Sequence, residues 1–431
     1  MFAPIVNLST KYFKSEFFKN VLTLFTGSTI AQALPVLISP VLSRLYAPDD
    51  FGTMAIFVAT AGFITIIITG QYESAIILPK ENKDAVNIAA LALIITVCIS
   101  VFSLLVILIF HNKICDWFNA ENLHHYIFII PLSVFLTGVY QILTFWTLRK
   151  KQYKRLAIRQ ISQSLSTSSV KLGGGLWRSS PTGLILGNIF GQITATSVLC
   201  WLTWKEDSDK RKFISKEEIK KVAIEYQNFP KYNAPQAFLD TFNASSIIFL
   251  LSYFFSSTVL GLYSFAFSMI TLPMRLIGNS VTQVFYQKAS EAHNNGQNLW
   301  PLIKKLIIRL ALIGLPGLLV ILFFGPQLFS TVFGSKWHEA GVYAQILMPW
   351  LFISFIGSPI GSVPQILNKQ KQFFILTLFG NIIIPTLLFC FSYLYTSTYK
   401  SLFFFSSISI LNYLIAIAWV RHITKNSKKN A

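Results

Sequence analysis

Residues 85–110 read AVNIAALALIITVCISVFSLLVILIF, a run that contains no Asp, Glu, Lys or Arg. A transmembrane α-helix needs about 20 consecutive apolar residues, so this run is long enough to cross a bilayer. The rest of the chain has the same character, since 53% of its 431 residues are hydrophobic and only 12% are charged. An ordinary soluble domain has about 25% charged residues. The composition therefore excludes a soluble globular enzyme and a disordered chain.

Similar apolar runs recur from one end of the chain to the other. A window of about 19 residues moved along the sequence predicts about twelve spans joined by short connections. They are residues 21–42, 52–79, 85–110, 126–148, 155–176, 182–204, 234–253, 258–285, 302–324, 341–367, 372–396 and 400–420. We therefore expect an all-α integral membrane protein.

The basic residues lie mainly on one side of these spans. Lys and Arg number 36 against 17 Asp and Glu, which gives a formal net charge of +19. Stretches 149–159 and 205–231 lie on the same side as the termini and are rich in Lys and Arg. The loops on the other side hold only Arg44, Lys113, Arg178, Lys336 and Lys400. Because cytoplasmic loops carry the excess of Lys and Arg, both termini are predicted to be cytoplasmic. The net charge then reports topology, not nucleic-acid binding.

The two halves of the chain resemble each other weakly. Trp117 and Pro131 recur as Trp337 and Pro349, and the offset between matching positions stays between about 209 and 220. Each half holds six spans, an even number, so the repeat axis should lie along the membrane normal. The predicted divisions are a cytoplasmic interfacial segment 1–20, an N-terminal six-helix bundle 21–204, a cytoplasmic amphipathic linker 205–233, a C-terminal six-helix bundle 234–420 and a cytoplasmic basic tail 421–431.

The linker contains a helix signature. Ser215 and Glu218 have the spacing of a capping box, and Ile219 and Val222 follow at helical spacing before Pro230. We expect a short amphipathic helix on the membrane surface. A solvated connection and a docking site for a partner are its two alternative roles.

Prolines interrupt three of the predicted spans. Pro35 and Pro40 lie in the first, Pro273 in the eighth and Pro316 in the ninth. A break inside a membrane helix frees backbone groups that neighbouring groups or cavity water must satisfy. These positions predict bends of a kind that a transporter can use.

The fifth predicted span is the most polar. Arg155, Arg159, Gln163, Thr167 and Lys171 recur every four residues. On a helix this stripe drifts by about 40° per step and cannot face lipid along its length. The stripe predicts a watery cavity whose three cations attract an anionic ligand. For the first two arginines, snorkelling at the cytoplasmic end is the alternative explanation.

Arg275 lies well inside the eighth predicted span, where an ionisable residue costs about 3 kcal/mol. Its planar guanidinium suits bidentate binding of phosphate oxygens. Two acids, Glu73 and Asp240, are predicted at comparable depth. We expect an inner gate in which Arg275 pairs with one of these acids and releases to substrate phosphate. A structural ion pair and proton coupling through the acids are the alternatives.

The sequence pattern for a metal site is weaker than the pattern for an anion site. His111 and Cys115, with His124 and His125 nearby, have zinc-ligand residue types in an external loop. Nothing else there resembles a metal scaffold, and no metal site is predicted. The chain also has no Walker motif and no GxGxxG before a helix, so no nucleotide cofactor is predicted.

Asp49 and Asp50 form an acidic pair in the first external loop. Such pairs occur in membrane glycosyltransferases that use lipid-phosphate sugars, where large external loops complete the site. External loops here are short, so a capping role at the start of the second span is favoured.

Five motifs follow one another along the chain. They are RLYAPDDFG at 44–52, GQYESAIILPK at 70–80, GLILGNIFGQ at 183–192, YQNFPKY at 226–232 and LPMRLIGNSVTQVF at 272–285. With these motifs the sequence resembles, nearly end to end, the Wzx-type polysaccharide-export flippases of the multidrug/oligosaccharidyl-lipid/polysaccharide (MOP) superfamily.

The resemblance implies two six-helix bundles around a central cavity with a cationic lining, as in MATE-like transporters, and alternating access. It implies a flippase, not an enzyme, in the bacterial cytoplasmic (inner) membrane, without a cofactor. Its substrate would be sugars on undecaprenyl pyrophosphate for O-antigen, capsule or exopolysaccharide. Implied partners are membrane lipids, a polysaccharide polymerase and a chain-length regulator. Related peptidoglycan-precursor flippases place arginines in spans one, two and eight, and only Arg275 matches.

The predicted site combines the polar residues named so far with aromatic and amide side chains. Substrate binding is assigned to Arg275, Lys171, Arg159, Arg155 and Gln163, gating or coupling to Glu73 and Asp240, and sugar contact to Tyr140, Gln141, Tyr263 and Asn279. The competing functions are a MATE-like small-molecule antiporter, which would favour acidic cavity residues, and a membrane glycosyltransferase or O-antigen polymerase.

Overall fold

The computed structural model describes residues 16–117, 121–367 and 369–426. Helices connected by short turns make up nearly all of this part of the chain, and no β-strand occurs in it. The predicted all-α class is confirmed. The predicted interfacial segment 1–20 lies outside the described residues up to position 15, and the end of the basic tail lies outside them after position 426.

The chain divides into two units. The first comprises Met1–Tyr46 and Ile56–Thr241, and the second comprises Ala47–Ala55 and Phe242–Ala431. The helices of the first half are α1 (Glu16–Leu45), α2 (Pro48–Thr65), α3 (Asn82–Trp117), α4 (Ile130–Arg149), α5 (Tyr153–Trp177), α6 (Pro181–Asp207) and the short α7 (Lys216–Glu225). Within the first unit, α5 packs along both α1 and α6.

The second half repeats the pattern of long helices. Its helices are α8 (Ala234–Phe254), α9 (Ser257–Asn294), α10 (Leu299–Phe333), α11 (His338–Gly357), the single turn α12 (Val363–Ile366), α13 (Gln370–Leu394) and α14 (Thr398–Asn426). Helix α11 is the centre of the second unit because it packs against α9, α10 and α14. Leu347 and Ala344 of α11 are fully buried there.

Ten helical segments in the described residues are long and apolar enough to cross a membrane. The protein is therefore a multi-pass membrane protein. The predicted spans missing from these ten are the second and the fifth. The second is divided, because α2 ends at Thr65. The fifth is the polar helix α5, whose many Ser, Gln, Arg and Lys residues make it too hydrophilic to qualify by composition.

The second predicted span is divided after α2. Helix α2 ends at Thr65, and the chain then makes turns in which Gly70 and Gln71 have φ of 62° and 63° before it forms a 3₁₀ helix at Tyr72–Ile77. Because left-handed residues cannot belong to a right-handed helix, no helix runs through Gly70 and Gln71. Pro35 and Pro40 lie inside α1, Pro273 lies inside α9 and Pro316 lies inside α10. The bends expected at these prolines stay a prediction.

The linker helix α7 forms where its capping signature predicted. The Ser215 hydroxyl accepts a hydrogen bond from the backbone N–H of Glu218 at 3.3 Å. The return half of the capping box is replaced by tertiary contacts: the Glu218 carboxylate pairs with Lys83 at 2.6 Å, and the Ser215 N–H donates to Asn87 Oδ1 at 3.1 Å. Val222 is fully buried in a cluster with Tyr72 and other residues of the first unit. Protein therefore covers the apolar face that was expected to rest on the membrane surface.

Arg149, the last residue of α4, holds the segment that follows the 3₁₀ helix. Its guanidinium donates hydrogen bonds of 2.5–3.3 Å to the backbone oxygens of Ile76, Ile77, Pro79, Lys80 and Glu81. Carbonyls at the end of a helix have no partner within the helix, and Arg side chains are suited to satisfy them. Arg149 therefore joins α4 to the connection between the 3₁₀ helix and α3.

Candidate functional site on the polar helix of the first unit

Glycines on α6 allow the polar helix α5 to lie close to it. A Cβ atom at Gly191 would collide with the Thr167 hydroxyl, and a Cβ atom at Gly187 would collide with the aliphatic stem of Lys171. Small residues at such positions let membrane helices approach closely. The motif at 183–192 therefore reflects packing, and it seats the predicted polar stripe against a neighbouring helix.

Arg155 lies near the start of α5 and is 9% exposed. Its guanidinium forms an ion pair with Glu206 and donates to the backbone oxygen of Leu202 at 3.2 Å. Both acceptors lie near the end of α6. The charge of Arg155 is therefore compensated within the first unit.

Arg159 lies one turn further along α5 and is equally buried, at 9% exposure. It donates to the side-chain oxygen of Gln163 at 3.1 Å, and its guanidinium carbon lies 5.4 Å from the centroid of the Tyr140 ring on α4. Its Nε atom is buried without a hydrogen-bond partner among the described residues. No carboxylate in that part of the chain forms an ion pair with it. Arg159 is thus a buried cation held only by neutral groups.

Lys171 lies about 18 Å further along the helix axis than Arg159, twelve residues at about 1.5 Å each. Its backbone oxygen accepts a hydrogen bond from the Tyr46 hydroxyl at 2.6 Å, and its stem packs over Gly187. Among the described residues, its ammonium forms no ion pair. The structure therefore brings Arg159, Gln163 and Tyr140 together and leaves Lys171 as a separate position.

The predicted gate residues are distributed over the two units. Glu73, in the first unit, is 7% exposed and accepts a hydrogen bond from the Thr69 hydroxyl. Asp240, also in the first unit, has an exposed side chain on α8. Arg275, in the second unit, donates to the Thr271 hydroxyl at 3.1 Å. Pairing between Arg275 and either acid stays a prediction.

The predicted sugar contacts have different surroundings. Gln141 is partly exposed beside Tyr140 on α4, whereas Tyr263 in the second unit is 3% exposed. The Tyr263 ring stacks on Phe267 with 5.9 Å between centroids, and Phe267 stacks on Trp350 at 6.0 Å. The side chain of Asn279 lies outside the described part of the structure. Tyr263 therefore belongs to an aromatic stack of its own unit.

The acidic pair Asp49 and Asp50 lies in the first turn of α2 and has structural partners. Asp50 Oδ2 accepts a hydrogen bond at 2.7 Å from the N–H of Ala47, the residue that precedes α2. Asp49 Oδ1 accepts a hydrogen bond from the Ser257 hydroxyl in the same unit. These contacts agree with the favoured role at the helix start.

His111 lies in the last turns of α3, and His124 and His125 lie in the 3₁₀ helix that follows it. The rings of His111 and His124 lie edge to face, with centroids 6.4 Å apart. Within the described ranges, no group of three His, Cys, Asp or Glu side chains is placed to hold a metal ion.

A charge cluster that sequence reasoning missed lies around Asp207, the last residue of α6. Asp207 accepts hydrogen bonds from Trp146 Nε1 at 2.9 Å and from Lys150 Nζ at 2.6 Å, and it also pairs with Lys210. Its side chain is only 5% exposed. Asp207 lies 57 residues from Lys150 in the chain, so no local pattern reveals the contact.

The sequence is similar to a family of known proteins. A profile of a family described as polysaccharide biosynthesis protein matches residues 41–342. The chain belongs to this family. A comparison with curated proteins finds no match.

Solved structures of MOP-superfamily transporters share the fold. One is the inward-facing conformation of a multidrug resistance MATE family transporter, with a TM-score of 0.71 and 14% identity over 94% of this chain and 96% of that chain. Another is a MOP superfamily transporter from Pyrococcus furiosus Vc1 (DSM3638), with a TM-score of 0.55 and 14% identity over 95% and 96%. In that second transporter, the reverse polarity of the binding pocket suggests a different function.

The family match confirms the predicted link to polysaccharide biosynthesis, and the chain shares the fold of solved MOP-superfamily transporters.

Proposed function

We propose that this protein moves undecaprenyl-pyrophosphate-linked oligosaccharide repeat units from the inner to the outer leaflet of the bacterial cytoplasmic membrane by alternating access. The repeat units would serve synthesis of O-antigen, capsule or exopolysaccharide, and both termini would be cytoplasmic. A polysaccharide polymerase and a chain-length regulator are the proposed partners. The family and the transporter fold support the transport of a polysaccharide precursor.

The observation that carries the proposal is the state of Arg159. A buried charge is costly unless it is paired and hydrogen-bonded, yet this guanidinium has one amide, one aromatic ring and an unpartnered Nε. A bound anion would supply the missing opposite charge and an acceptor for Nε. Because a guanidinium presents a planar set of donors that matches phosphate oxygens, a pyrophosphate suits it well.

The chemistry of the oligosaccharide and of the prenyl tail also supports transport along the protein. An oligosaccharide and a pyrophosphate cannot cross hydrocarbon without polar partners, whereas a prenyl tail is at home in lipid. The polar side of α5 offers such partners in the serines and threonines next to its cations; for example, Thr194 of α6 and Ser166 of α5 are hydrogen-bonded at 2.9 Å. The proposal assigns binding and release to the protein and no catalytic step.

Deletion of the gene, followed by labelling of intact right-side-out inner-membrane vesicles with a probe that reaches only the outer face, tests this function. Complementation compares the wild type with Arg159→Gln and, as a matched control, Arg155→Gln. We expect deletion and Arg159→Gln to trap single repeat units on the cytoplasmic leaflet and to remove surface polymer, whereas Arg155→Gln restores most transport.

Other results would support the competing functions. Unpolymerised units on the outer leaflet after deletion would indicate a polymerase. Unchanged pools of lipid-linked units on both leaflets would indicate a small-molecule exporter.

A further inference from the structure

Two neutral side chains from two helices hold the guanidinium of Arg159. The Tyr140 ring on α4 lies 5.4 Å from the guanidinium carbon, and Gln163 on α5 accepts a hydrogen bond at 3.1 Å. In the described part of the chain the Tyr140 hydroxyl donates no hydrogen bond, while its backbone oxygen accepts one from Thr144. The contact of Tyr140 with the arginine therefore uses the ring and not the hydroxyl.

A carboxylate partner neutralises the charge of an arginine, whereas a neutral partner leaves that charge uncompensated. Glu206 neutralises Arg155, whereas an aromatic ring attracts a cation through its quadrupole and adds no net charge. The ring therefore orients the guanidinium while the full positive charge remains available. A carboxylate in the same place would compete with an arriving anion.

We propose that Tyr140 is a positioning residue, which holds Arg159 ready for the pyrophosphate of the substrate and does not recognise the sugar. This inference rests on the proposed function, and it replaces the sugar contact predicted for Tyr140 from the sequence. The ring face directed at the cation is not available for stacking on a sugar ring. Gln163 has the second positioning role, because it fixes one edge of the guanidinium and leaves Nε open.

A sugar-free probe separates positioning from sugar recognition. The purified full-length protein in detergent is titrated with farnesyl pyrophosphate, which carries the anion and a short prenyl chain without any sugar. We expect Tyr140→Phe to keep the wild-type Kd within about twofold, because the ring face is retained. Tyr140→Leu should weaken binding about 10- to 30-fold, since it removes the cation–π contact in a desolvated site.

Gln163→Glu tests the role of neutrality by a separate route. The new carboxylate sits four residues from Arg159, the distance at which helical side chains pair. It should neutralise the guanidinium and weaken farnesyl pyrophosphate binding at least tenfold, although the side chain has nearly the same size. Thermal unfolding of each purified variant shows whether it is folded. If Tyr140→Leu does not fold, Gln163→Glu still tests the inference.

The possible results distinguish a failure of the positioning roles from a failure of the proposed function. Weakened binding in Arg159→Gln with unchanged binding in Tyr140→Leu and Gln163→Glu would overturn the positioning roles and leave the anion site intact. Unchanged binding in all three variants would remove Arg159 as the anion site, and both proposals would fall. Equal losses in Tyr140→Phe and Tyr140→Leu would assign the hydroxyl, not the ring, to the ligand.

Discussion

The end of the first unit that holds Asp207 and the interior of the same unit compensate their basic residues in opposite ways. At that end, Lys150 and Lys210 share Asp207, and Arg155 pairs with Glu206. One turn deeper, Arg159 is as buried as Arg155 but contacts only an amide and a ring. The basic residues of the first region are part of the fold, and the charge of Arg159 remains available to a ligand.

This difference shows that burial alone does not identify a binding residue. Both arginines of α5 are 9% exposed, and both lie on the polar stripe. The partner decides the role, because a carboxylate compensates the charge permanently, whereas neutral groups leave the cost of burial to be offset by a ligand.

The largest expected effect is the difference in transport between the variants Arg159→Gln and Arg155→Gln. Arg159→Gln removes a charged donor to phosphate, worth about 1.5–3 kcal/mol, and should lower transport about 10- to 100-fold. Arg155→Gln should lower it less than about threefold, because Glu206 is 52% exposed and water can solvate its carboxylate. Complementation of the deletion strain, scaled to the amount of protein in the membrane, measures both. Equal losses in the two variants would abolish the distinction between the regions.

The next effect concerns the stability of the end of the first unit that holds Asp207. Asp207→Asn keeps an acceptor for Trp146 but leaves two ammonium groups without their shared carboxylate, and it should lower the free energy of unfolding by about 3 kcal/mol. Thermal unfolding in detergent measures the change. Asp209→Asn is the control, since its side chain is exposed. Similar midpoints for the two variants would contradict a structural role for the Asp207 cluster.

A somewhat smaller effect is expected at Arg149. Arg149→Gln cannot reach five backbone oxygens, so it should lower the free energy of unfolding by about 2 kcal/mol. Faster hydrogen exchange should appear at residues 76–81. Lys154→Gln, at an exposed position of α5, provides the matched loss of charge. Unchanged exchange in Arg149→Gln would show that another contact holds this connection.

The smallest effect depends on pH. The hydrogen bond from Lys83 lowers the pKa of Glu218 below its usual 4.5. A carboxylate with a lowered folded pKa stabilises the fold above the unfolded pKa, and this contribution disappears as pH falls through the folded value. The protection of the α7 amides, which is the intrinsic exchange rate divided by the observed rate at the same pH, should therefore fall below about pH 4.5 in the wild type. Glu218→Gln should show the reduced protection at neutral pH as well. A pH-independent difference between the two proteins would contradict the ion pair.

Local patterns predicted much of the architecture correctly. The apolar runs are long enough to mark the membrane helices, because crossing hydrocarbon requires a minimum length of apolar chain. Ser215 and Glu218 marked the start of α7, because an N-cap contact involves residues only three positions apart. The polar stripe marked α5 as a helix that cannot face lipid.

Other features depend on contacts between distant residues, and for these the sequence was insufficient or misleading. The second predicted span is divided, because α2 ends at Thr65 and the chain then turns through Gly70 and Gln71 with positive φ. A hydropathy window over residues 52–79 did not reveal this division, because it averages over the residues of the turn. The covering of α7 by the first unit was likewise invisible, because Val222 and Tyr72 meet only after folding.

The sequence by itself determined that this is an all-helical membrane protein, and its motifs indicated the family. Those properties follow from composition, helical period and short-range order, which every segment carries independently. Only the tertiary structure decided which cation is compensated and which is available. Arg155 and Arg159 are four positions apart, yet one guanidinium lies beside a carboxylate of α6 and the other beside the Tyr140 ring of α4, and that choice is set by how the helices pack.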